Sequence, residues 1–92
     1  MTGEPGRSPR VTLYGRPECH LCDEAREALA GLRSGGLEFE LREIDIDGDD
    51  ALVRSHLERI PVVEVEGAVV SELVFDAAAF RTALRSIGSL RA

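Results

Sequence analysis

Tyr14-Gly15-Arg16-Pro17-Glu18-Cys19-His20-Leu21-Cys22 holds both cysteines of the chain, three positions apart. Ahead of the pair runs Val11-Thr12-Leu13-Tyr14, a β-rich stretch that Gly15 and Pro17 stop, which reads as a buried strand. Behind it, Leu21, Cys22, Ala25, Ala28, Leu29 and Leu32 recur at helical spacing until Ser34-Gly35-Gly36 ends the helix. The thiols therefore stand where a strand hands over to a helix. Such a pair can ligate a metal, staple a domain or exchange electrons.

Reading outward, Leu37 to Ile46 alternates as a second strand, with a phase change that predicts a bulge near Arg42-Glu43. Asp47-Gly48-Asp49 supplies turn chemistry and an N-cap for a short helix through Leu52, Val53, His56 and Leu57. Ile60 to Glu66 is a proline-led strand, Gly67 a tight turn, and Ala68 to Leu73 the returning strand. Asp76 caps a last helix whose apolar face is Ala77, Phe80, Ala83, Leu84 and Ile87. The order is β-α-β-α-β-β-α. It is an α/β pattern whose first two strands should be parallel, joined by a right-handed crossover.

The 92 residues fit one domain, 10–92, behind a polar Gly- and Pro-containing stretch, 1–9, that reads as a disordered tail. That stretch lacks the apolar segment of a signal peptide, so a cytoplasmic location is expected. Reducing cytosol argues against a permanent staple, and a bridge across so short a loop constrains the unfolded chain little. With eleven Arg, no Lys and seventeen acids, the net charge is −6, which repels phosphate backbones and makes nucleic acid an unfavourable partner. No apolar run is long enough to cross a bilayer.

A zinc site needs four ligands. Only His20, between the cysteines, and His56, on a separate helix, are on offer, so no metal site is expected. Electron exchange fits better. Cys19 would lie at the helix N-terminus, where unpaired N–H groups and the dipole favour a thiolate, with ionisation below the free value of about 8.5. Cys22, nearly a turn later, would be more buried and resolve a mixed disulfide. A protonated His20 would help the thiolate; Glu18, Asp23 and Glu24 would oppose it.

The element order, the Cys-x-x-Cys after strand one and Ile60-Pro61-Val62 before strand three resemble the thioredoxin superfamily. Within it the chain is similar to small glutaredoxin-like proteins with a Cys-His-Leu-Cys motif, from about Val11 to Leu84. The resemblance implies a thioredoxin-like fold: a four-stranded mixed sheet with three helices. It implies Cys19 as the attacking and Cys22 as the resolving cysteine. It also implies a cis Ile60–Pro61 peptide facing Cys19, whose backbone pairs with a bound peptide or glutathione. Arg16 is implied as a cation near a glutathione carboxylate, whereas Arg59 takes the place of a small hydroxyl residue two before the proline and either meets a carboxylate or faces water. Where glutaredoxins carry Gly-Gly and an acid, this chain reads Val70-Ser71-Glu72-Leu73. Ser71 and Glu72 would fall about where the glycines do, limiting an anion-binding turn and repelling a carboxylate.

The reading is thus a monomeric cytosolic thiol–disulfide oxidoreductase of cell redox homeostasis, needing no cofactor. Its partner would be a disulfide-containing protein or a low-molecular-weight thiol, with glutathione a disfavoured reductant. Two alternatives differ in class. One is a binding module in which two chains hold an iron–sulfur cluster through Cys19; the other is a redox-inactive adaptor.

Overall fold

The computed structural model describes residues 8–91, with side chains as far as Ile87. Most of the expected N-terminal tail, residues 1–7, lies outside the described residues. Pro9, at its end, is held to the sheet: its carbonyl accepts the Glu40 N–H at 2.8 Å.

Strand β1 (Arg10–Gly15) leads through a short loop into helix α1 (His20–Ser34). Strand β2 (Glu40–Asp45) then runs into a 3-10 turn at Ile46–Gly48 and helix α2 (Asp50–His56). Strands β3 (Val62–Val65) and β4 (Ala68–Glu72) form a hairpin, and helix α3 (Ala77–Arg91) closes the fold. The sheet order is β2-β1-β3-β4, with β1 and β2 parallel and the other neighbours antiparallel. This is the α/β thioredoxin-like architecture that the sequence led us to expect, a four-stranded mixed sheet with three helices.

Several local signals act as anticipated. The Asp49 carboxylate accepts from Ala51 and Leu52 N–H and caps α2, and the Asp76 carboxylate accepts from Ala79 N–H at the start of α3. Glu66 and Gly67 both adopt positive φ, 51° and 86°, the two-residue turn whose twist suits a hairpin. The bulge is elsewhere than expected. β1 and β2 pair without interruption from Arg10–Glu40 to Gly15–Asp45, and the register shift falls at Val63–Glu64, between β3 and β4. The phase change in the second strand has another cause. Leu37 and Phe39 pack into the core from the loop before β2, and Ile46 leaves the strand in the 3-10 turn.

Two clusters hold the fold. The larger joins Val11, Leu13, Val63 and Val65 of the sheet to Ala25 and Leu29 of α1, Phe39 of the loop before β2, and Phe80 of α3. The Phe39 and Phe80 rings meet edge to face at 5.1 Å, a geometry that aromatic quadrupoles favour. The smaller cluster sits at the carboxyl end of β1 and joins Cys22, Ile46, Ile60 and Val62. That second cluster is the floor of the site.

Candidate redox site

Pro17 and the residues around it end β1 and turn the chain, so that Cys19 becomes the N-cap of α1, with extended φ and ψ of −112° and 108°. Its sulfur takes the role usually played by a capping oxygen: Cys19 Sγ accepts the Cys22 backbone N–H at 3.1 Å. The two cysteines are joined in a disulfide, their Cα atoms 5.2 Å apart. Cys22 is fully buried, whereas Cys19 is only partly covered. Gly15 lets the strand close on this corner, since a β-carbon there would stand 3.0 Å from Cys22 Sγ.

The chain brings the Ile-Pro segment to the same place. The Ile60–Pro61 peptide is cis, and Ile60 and Val62 pack in one cluster with Cys22, against which Cys19 rests. The Leu73 N–H is shared between the Arg59 carbonyl at 3.0 Å and the Pro61 carbonyl at 3.1 Å, tying the end of β4 to the proline turn.

Of the charged residues singled out in the sequence, all but Glu18 already have a partner. Arg16 Nε lies 3.4 Å from Asp47 Oδ1, and Arg59 lies 3.5 Å from Glu72 Oε2. His20 is not turned toward the sulfurs; its ring is largely exposed and its Nε2 lies 2.8 Å from Glu24 Oε2, one turn along α1. Asp23 pairs with Arg26, which also reaches Glu43 on β2.

The family model for the glutaredoxin-like domain (DUF836) matches residues 10–85. The chain belongs to the glutaredoxin-like domain family. Among solved structures, a Nitrosomonas europaea protein is 31% identical with a TM-score of 0.74, over 85% of this chain and 93% of that one. An X. campestris protein is 39% identical with a TM-score of 0.65, over 83% of this chain and 96% of that one. A mutant thioredoxin from Halobacterium salinarum is 20% identical, covers 88% of this chain and 75% of its own, and has a TM-score of 0.59; it shares the fold. Among curated proteins none matches.

In this glutaredoxin-like domain Ser71 and Glu72 lie in β4, within the strand read from Ala68 to Leu73. Ser71 is a buried strand residue: its hydroxyl donates to the Val74 carbonyl and accepts the Asp76 N–H, both at 3.1 Å. The left-handed conformation that would suit glycine falls on Leu73, at φ 65°, beyond Ser71 and Glu72. Three further features had no clear signal in the sequence. Glu18, directly before Cys19, also has a left-handed φ of 60°. Tyr14 packs on His56, ring centroids 4.6 Å apart and planes tilted by 37°, against the smaller cluster. His56 Nδ1 is buried and meets no hydrogen-bond partner among the described residues. Burial, then the Glu64 carboxylate, pushes the Tyr14 phenol above its ordinary 10.0.

Proposed function

We propose that this domain is a small cytosolic thiol–disulfide oxidoreductase in which Cys19 attacks and Cys22 resolves, acting as a monomer on a disulfide-containing protein or low-molecular-weight disulfide. The observation that carries the reading is the Cys19 sulfur capping α1: a group that accepts a backbone N–H as a disulfide sulfur keeps that donor as a thiolate. In the reductive direction the Cys19 thiolate attacks one sulfur of the substrate. The substrate S–S bond breaks, a mixed disulfide forms and one thiolate leaves. Cys22 loses its proton to solvent and attacks Cys19 Sγ, releasing the second thiolate and closing the Cys19–Cys22 bond. Two electrons pass from the protein dithiol to the substrate.

Burial supports the division of roles, because Cys22 can meet an incoming disulfide only through Cys19. The pairing of Arg16 with Asp47 and of Arg59 with Glu72 argues against glutathione as the preferred reductant, since a carboxylate must displace an existing partner. The test has two arms. In the reduced protein Cys19 should be alkylated at least tenfold faster than Cys22, as expected for an accessible thiolate beside a buried thiol. The oxidised protein should be reduced faster by a thioredoxin system than by glutathione. Equal alkylation of the two cysteines would remove the assignment of roles, and efficient saturable turnover with glutathione would make the protein a conventional glutaredoxin.

A further inference from the structure

Every carboxylate and guanidinium from Arg16 to Glu24 except one has a polar partner: Arg16 lies beside Asp47, Asp23 shares Arg26 with Glu43, and Glu24 meets the His20 ring. The exception is Glu18. It precedes Cys19 directly, is exposed, and among the described residues makes no hydrogen bond or ion pair. Across the site, Arg59 and Glu72 offset each other. The residue next to the sulfur assigned the attack is therefore a carboxylate with no partner among the described residues.

We propose that Glu18 is a specificity-determining residue that selects the disulfide partner by charge. Cys19 takes disulfides flanked by a cation, such as an amine or a Lys- or Arg-bearing segment, in preference to those flanked by carboxylates. The inference rests on the redox reading above and adds the substrate class to it. Its physics is local. A substituent next to the attacked sulfur comes within a few ångströms of the residue before Cys19, well inside the distance over which physiological salt screens a charge, about 8 Å. A cation there gains from the Glu18 carboxylate what an anion loses, and the Arg16 and Arg59 guanidiniums are too well matched to reverse the sign. The exchange itself is unchanged: the substrate S–S bond breaks, Cys19 and then Cys22 supply the two electrons, and two substrate thiols are released.

The experiment uses the reduced full chain and two small probes, cystamine, which carries two ammonium groups, and dithiodipropionate, which carries two carboxylates. The rate of Cys19–Cys22 formation is measured with each. The ratio of the two rates is the readout, because any change in the thiolate fraction of Cys19 cancels in it. In Glu18→Gln, which keeps size and removes charge, the cystamine preference should fall about three- to tenfold at low salt, the scale of one charge interaction a few ångströms away across water. High salt should shrink the preference of the unmodified protein toward that of the variant. Glu38→Gln, which removes an exposed acid beyond the far end of α1, should leave the ratio as it was. An unchanged ratio in Glu18→Gln overturns the charge selection alone, as does an equal shift in Glu38→Gln, which would assign the effect to net charge. If neither probe closes the disulfide, the redox reading fails and this inference with it.

Discussion

Replacing Glu18 by glycine should stabilise the protein, and the structure sets the size of the gain. Glu18 holds φ at 60°, a region where the β-carbon of an L-residue crowds the backbone at a cost of about 1–2 kcal/mol. Glycine adopts it freely but gives up about 0.5–1 kcal/mol through the greater freedom of its unfolded chain. The side chain is exposed and bonds to nothing described, so little contact is lost on removing it. The net gain from the backbone is about 0.7 kcal/mol; loss of the carboxylate takes back a few tenths, so for a domain of this size the melting temperature rises by roughly 2–3 °C. The assay is thermal and urea unfolding of the oxidised protein, followed by circular dichroism, for wild type, Glu18→Gly and Glu18→Ala. Alanine removes the same charge and keeps the β-carbon, so it should not share the gain; removing a carboxylate ahead of a helix N-terminus should even cost a few tenths of a kcal/mol. A melting temperature for the alanine variant equal to that of the glycine variant would show that charge, not backbone conformation, governs the site, and would refute the reasoning.

Tyr14 is the sole tyrosine, so phenolate absorbance reports it directly, and its midpoint should lie above 10.0. A phenol whose folded pKa is raised contributes stability that is fully present below about 10 and lost as pH rises through the folded value. Tyr14→Phe should therefore flatten the alkaline decline in urea midpoint; a titration at or below the ordinary value would contradict the burial described. Ser71→Ala should destabilise by about 0.5–1.5 kcal/mol, because it removes the two part-buried hydrogen bonds of the Ser71 hydroxyl, from the Asp76 N–H and to the Val74 carbonyl. A change in urea midpoint too small to measure would mean that solvent replaces the hydroxyl.

The parts of the fold that were legible in the sequence are those governed by neighbours in the chain. Asp49 and Asp76 declare their helices because a cap acts over three residues, and the Cys-x-x-Cys pair marks the start of α1 because it follows a strand within a few positions. The arginines were legible as candidates and not as partners. Arg16 meets Asp47 across a crossover, and Arg59 meets Glu72 across the proline turn, contacts that only the packed sheet creates. The same holds for Ser71: it was legible as a residue of the returning strand, but the commitment of its hydroxyl to the connection into α3 was not. Leu73 escaped notice because leucine carries no mark of a left-handed backbone, and the shared bond to Arg59 and Pro61 that holds it there is tertiary.

The two packing clusters have no buried residue in common. The larger one contains the paired phenylalanines and most of the buried strand residues; the smaller one contains Cys22 and the residues flanking Pro61. Effects of substitutions in separate clusters add with little coupling when the sites share no partners. Changes around Ile46, Leu52, Val53 or Ile60 can therefore reshape the floor beneath the sulfurs while the larger cluster still carries the fold. Heritable variation in this domain then has a protected place to accumulate: one end of the sheet can drift toward new reactivity, and the other supplies the tolerance that lets such variants survive.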